Sequence, residues 1–69
     1  MTSVNKTVYS DGNTIHIPLP NGTNTYQISV DRVSTVIKIL WWIRWLKQKT
    51  WITKSQIEEF RYLAIKYLK

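Results

Sequence analysis

From Thr7 to Val30 apolar and polar residues alternate with a period of two; from Val33 onward the apolar residues recur three and four apart. The first rhythm is that of strands with one buried face, the second that of amphipathic helices. Turn residues punctuate the first part. Asp11-Gly12 predicts a two-residue hairpin turn, and Pro20-Asn21-Gly22-Thr23 a longer hairpin loop. The first turn pairs Tyr9 with Thr14 and Val8 with Ile15. The second pairs Ile15 with Ile28, His16 with Gln27 and Ile17 with Tyr26. Both place Val8, Ile15, Ile17, Leu19, Tyr26, Ile28 and Val30 on one side, and Thr7, Tyr9, Thr14, His16, Thr25, Gln27 and Ser29 on the other. That agreement matters, because a one-residue slip would send each apolar side chain to the wet face. Pro18 falls on the polar side of the middle strand, so pairing is expected to stop or bulge there.

The second rhythm predicts two helices. The first starts at an N-cap of Ser29 or Asp31 and runs to about Gln48. Its inner face is Val33, Val36, Ile39, Leu40, Ile43 and Leu46, with Trp42 at the border. Its outer side carries Ser34, Lys38, Trp41, Trp45 and Gln48, with Arg44 at the edge. The second helix has a capping box in Thr53 and Gln56 and a hydrophobic staple in Ile52 and Ile57. Ile57, Phe60, Ala64, Tyr67 and Leu68 form its inner stripe, flanked by Leu63. Glu58, Glu59, Tyr62, Lys66 and Lys69 face away. The link between the helices is short, which predicts a helical hairpin.

The fold class is therefore α+β: a three-stranded antiparallel meander over residues 1–30, then a two-helix hairpin over 31–69 packed on its apolar face, in one domain. At 69 residues the chain is near the lower limit for a self-sufficient core. It has no cysteine and one histidine, so neither disulfides nor a structural zinc is expected to staple it. Self-association is the expected remedy, and a homo-oligomer is anticipated. Apolar residues make up 43%, too many for a disordered tail. Met1 to Ser10 is polar and lacks the apolar run of a secretion signal, so the Asn5 and Asn21 sequons read as chance or turn chemistry and a cytoplasmic location is expected. Val33 to Leu46 is too short to span a bilayer and is broken by Lys38 and Arg44.

Charge then changes the picture. Arg32, Lys38, Arg44, Lys47, Lys49 and Lys54 fall between residues 32 and 54 with no acid among them, and all four tryptophans lie in the same window. Outside it, Lys6, Arg61, Lys66 and Lys69 balance Asp11, Asp31, Glu58 and Glu59, so the window carries the whole net charge of +6. Folding alone has no use for such a concentration; it points to an anionic partner. Interleaved bases and indoles grip phosphates and stack on nucleobases. The candidate nucleic-acid-binding set is thus Arg32, Lys38, Arg44, Lys47, Lys49 and Lys54 for phosphates, Trp41 and Trp45 for stacking, and Gln27 for reading adenine from the polar sheet face. The expected function is a small basic nucleic-acid-binding regulator of the kind phages and plasmids encode. The alternative is a protein-interaction module, either a homo-oligomer or an inhibitor of an acidic partner. An interfacial membrane helix ranks below both, because Val36, Ile39 and Ile43 are needed for the core. Nothing points to catalysis, a metal, a cofactor or a small-molecule substrate: His16 stands alone, and Glu58 and Glu59 are helix neighbours that cannot face one another.

Overall fold

The computed structural model describes residues 7–20 and 24–69; Lys6, the Asn5 and Asn21 sequons and the Asn21–Thr23 part of the second loop lie outside them. Three antiparallel strands, β1 (Tyr9–Ser10), β2 (Thr14–Pro18) and β3 (Thr25–Ser29), form one sheet in that order. Two helices, α1 (Val36–Lys47) and α2 (Lys54–Ile65), follow and pack on it. The fold is the expected α+β arrangement. Ile15, Ile17 and Ile28 from the sheet share a buried cluster with Val33, Ile39, Trp42, Ile43, Leu46, Phe60 and Ala64.

The second hairpin has the expected register, with Ile15 opposite Ile28, His16 opposite Gln27 and Ile17 opposite Tyr26. The first does not. Tyr9 pairs with His16 and Ser10 with Ile15, two residues from expectation. The turn is centred on Gly12-Asn13 rather than Asp11-Gly12: the Asp11 N–H donates to the Thr14 carbonyl at 3.1 Å. Gly12 has φ +98°, at the position where a type II′ turn takes glycine. The Asp11 carboxylate decides the matter by accepting the N–H groups of Asn13 at 2.9 Å and Thr14 at 2.8 Å. Sliding a turn by one residue shifts pairing by two, an even number, so each side chain keeps its face.

Pro18 ends β2 without a bulge, and pairing continues beyond it, with Leu19 N–H donating to Asn24 at 3.1 Å. Backbone groups alternate sides along a strand. Ile17 and Leu19 therefore turn toward β3, and Pro18 turns toward the side that the short β1 does not reach. Its missing N–H costs nothing there, and its carbonyl accepts Gln56 Nε2 at 3.2 Å. On β1 the Val8 N–H donates to Glu59 Oε1 at 3.0 Å. Glu59, expected to face away, is half-buried for this reason.

The first helix is not continuous. Ser29 caps a 3₁₀ helix over Val30–Val33, accepting the Asp31 N–H at 3.4 Å. The chain then breaks at Ser34-Thr35. Thr35 is extended (φ −130°, ψ 158°) and caps α1, its Oγ1 accepting the Lys38 N–H at 3.2 Å. This restart changes which residues point inward. Ile39, Trp42, Ile43 and Leu46 are buried, so Trp42 sits inside the core stripe, whereas Val36 and Leu40, expected in the core, are 57% and 54% exposed.

The second helix begins as its sequence predicts. Thr53 Oγ1 accepts the Gln56 N–H at 3.1 Å and Gln56 Oε1 accepts the Thr53 N–H at 3.0 Å. Phe60 and Ala64 are fully buried, and Tyr67 reaches the Ser10 hydroxyl. Leu68, expected inside, is 37% exposed beyond the end of the helix.

Trp42→Ala should therefore lower unfolding stability by about 3–5 kcal/mol, whereas Trp41→Ala one residue earlier should cost about 1 kcal/mol or less. Urea denaturation of the two variants checks this; equal losses would contradict the helix phase described here.

Candidate functional site

The core stripe of α1 leaves Ile37, Leu40 and Trp41 on the opposite side of the helix, with Arg44 and Gln48 continuing the line. Ile37 is 80% exposed and Trp41 57%, and with Trp45 these residues line a shallow groove of about 460 Å³. A helix apolar on both sides satisfies one side by folding and keeps the other for something else. Periodicity assigns Ile37 to neither face. The available signal was the sheer number of apolar residues in Val36–Leu46, more than one stripe holds. Of the three residues set against an interfacial lipid-binding helix, Ile39 and Ile43 are indeed in the core and Val36 is not.

The four indoles are not equivalent. Trp45, expected on the outer side, is half-buried. Its ring stacks on Tyr26 at 5.3 Å, meets Trp42 edge-on at 5.5 Å and lies parallel to Trp41 at 6.5 Å. Lys49 Nζ sits 4.2 Å over it, a cation–π contact that fixes this lysine. Trp51 completes the cluster 5.6 Å from Tyr26. Of the two indoles assigned to stacking, Trp41 is the one with an exposed ring.

The structure gathers the bases around this helix. Arg32 and Lys38 line a small groove with Trp41 and Trp42. Lys47, Lys49, Lys54 and Arg61 line another of about 600 Å³, floored by Leu40, Ile43, Ile52 and Ile57. Glu58 is the one acid in that lining, and Arg61 is the base that the sequence window left out. Among the described residues none of these bases has an ion-pair partner. Gln27 is not brought to this surface. It lies exposed on β3, on the polar sheet face turned away from the helices, among Thr14, His16, Thr25 and Ser29.

Comparison with protein-family models, curated proteins and solved structures finds no match.

The polar face has its own fixed cluster. His16 Nε2 lies 3.1 Å from Asp11 Oδ2 and Nδ1 lies 3.1 Å from Thr25 Oγ1, while the Tyr9 ring stacks on the imidazole at 4.8 Å. A carboxylate only accepts, so Nε2 donates to it, and in the neutral ring Nδ1 accepts from the threonine hydroxyl. The set clasps the first turn to both neighbouring strands. No three of His, Cys, Asp and Glu gather in a metal-binding group among the described residues.

The Asn13 N–H, then the His16 ring and the Thr14 N–H, hold the Asp11 carboxyl down from its ordinary 3.8 to about 2. A depressed carboxylate contributes stability that is fully present above its unfolded value and lost as the folded group protonates. The contribution of Asp11 should thus persist above pH 3.8 and disappear as pH falls through about 2. An NMR titration of the Asp11 carboxyl should show a midpoint near 2; one near 3.8 would mean that the turn is not clasped.

Proposed function

We propose that this chain is a protein-interaction module that docks an acidic partner on the outer face of α1. One observation carries the reading: an exposed aliphatic and indole stripe, Ile37, Leu40 and Trp41, surrounded by bases without ion-pair partners. A partner that is apolar along its middle and anionic at its edges satisfies both parts. An amphipathic helix has that form. Laid along α1, it would contact up to about 18 Å of helix, at roughly 1.5 Å per residue. Docking of this kind fits an inhibitor or adaptor working in the cytoplasm and asks for no catalysis.

Nucleic acid is the second reading, that of a small basic regulator as phages and plasmids encode. The exposed Trp41 ring favours it, sharing one groove with Lys38 and another with Arg44, an arrangement suited to a stacked base between phosphates. It ranks second because stacked bases and phosphates leave Ile37, Leu40 and Val36 with little to bury against. Self-association through this face is opposed by charge: a second copy would bring Lys38, Arg44 and Lys47 against an equally basic surface.

A synthetic amphipathic helix with leucines on one face and glutamates beside them is the probe for the first reading. It should bind at low salt and weaken as salt rises. Ile37→Ser with Leu40→Ser should reduce its affinity about tenfold or more without unfolding the protein. Single-stranded DNA follows the second reading: its binding should survive those changes and be lost in Trp41→Ala. Failure of the peptide to bind at low salt overturns the first reading, and DNA binding by the same protein puts the second in its place.

A further inference from the structure

Among the described residues nothing pairs with the outer edge of β3. Leu19 donates to Asn24 and Val30 donates to Asn13, and by strand alternation Tyr26 and Ile28 turn their backbone groups toward β2. Thr25, Gln27 and Ser29 therefore turn their N–H and C=O groups outward. No residue of β3 is Lys, Arg, Asp, Glu or proline. Edges that must stay single carry such blocking groups.

We infer that this edge pairs with β3 of a second copy, joining two three-stranded sheets into one of six strands. The strand Thr25-Tyr26-Gln27-Ile28-Ser29 is self-complementary about its centre. An antiparallel two-fold axis at Gln27 sets Gln27 opposite Gln27 of the other copy, Thr25 opposite Ser29, and Tyr26 opposite Ile28. Hydroxyl meets hydroxyl and amide meets amide on the polar face. Ring meets β-branched side chain on the apolar face, a favourable cross-strand pair. Three outward residues from each copy, each donating one N–H, give six ladder bonds. The register also places every outward residue in a hydrogen-bonded pair, as the antiparallel ladder requires.

Charge favours this surface over α1 for a second copy. The α1 face is ringed by bases, whereas β3 is uncharged. Each copy carries a net charge of +6, so the two repel at long range, and salt should strengthen the dimer by screening that repulsion. Docking of an acidic partner on α1 has the opposite salt dependence. The two surfaces are thereby separable in one protein.

Sedimentation equilibrium at low and high salt tests the pairing, with two variants. Gln27→Pro removes an N–H that the monomer does not use, on an edge where proline is tolerated. Gln27→Lys keeps the backbone intact and sets two like charges side by side at the axis. The native chain should be a dimer that tightens with salt, and each variant should weaken it about tenfold or more with an unchanged circular dichroism spectrum. Amide exchange at Thr25, Gln27 and Ser29 should be slow in the native dimer and fast in Gln27→Lys, a readout that stands even if Gln27→Pro fails to fold. A native chain that stays monomeric at millimolar concentration overturns the inference, as does a dimer that both variants leave intact.

Discussion

The break at Ser34-Thr35 sets the phase of everything that follows it. A single helix from Asp31 to Gln48 would have committed Val33 and the residues after Val36 to one continuous stripe. By stopping the 3₁₀ helix at Val33 and restarting from the Thr35 cap, the chain buries Val33 completely and independently chooses the inward side of α1. The side it chooses holds Trp42, whose indole joins the buried cluster between sheet and helices. Leu40 and Ile37 are left outside as a result, and they form the surface on which the functional reading rests. The break is tied to the far end of the chain, since the Ser34 carbonyl accepts the Lys69 N–H at 3.1 Å.

Much of the fold was legible because two-fold periodicity is robust. The assignment of Ile15, Ile17 and Ile28 to the core survives a misplaced turn, since turn errors of one residue move pairing by two. The Asp11-Gly12 reading failed because a carboxylate that accepts two N–H groups of the turn must precede its central pair, which makes Gly12 the first central residue. The second helix was read well at its start, where the Thr53–Gln56 box is a local signal. Gln56 serves twice, capping α2 and holding the Pro18 carbonyl. That second contact spans 38 residues and has no local signature.

The surface was less legible than the fold. An apolar residue on an all-round apolar helix carries no mark of the side it will take, so the pattern points Leu40 and Val36 inward and leaves Ile37 on neither side. Charge was the better guide. Arg32, Lys38, Arg44, Lys47 and Lys54 are all exposed around α1, and Lys49 is half-buried over the Trp45 ring. Arg61 joins them across the helical hairpin, beyond the window that defined the rest. Gln27 was separated from them by the sheet itself, since helices cover one face and Gln27 belongs to the other.

The Glu59 contact gives the sheet a direction of growth. On the β1 side the Val8 N–H is already taken by the Glu59 carboxylate and the strand is two residues long, so a further chain finds no continuous ladder there. On the β3 side the ladder is open among the described residues. Pairing of two identical open edges consumes both of them and leaves only blocked ones outward. Such an assembly closes at two copies and cannot propagate into a filament, because one carboxylate occupies the edge from which a fibre would have to extend.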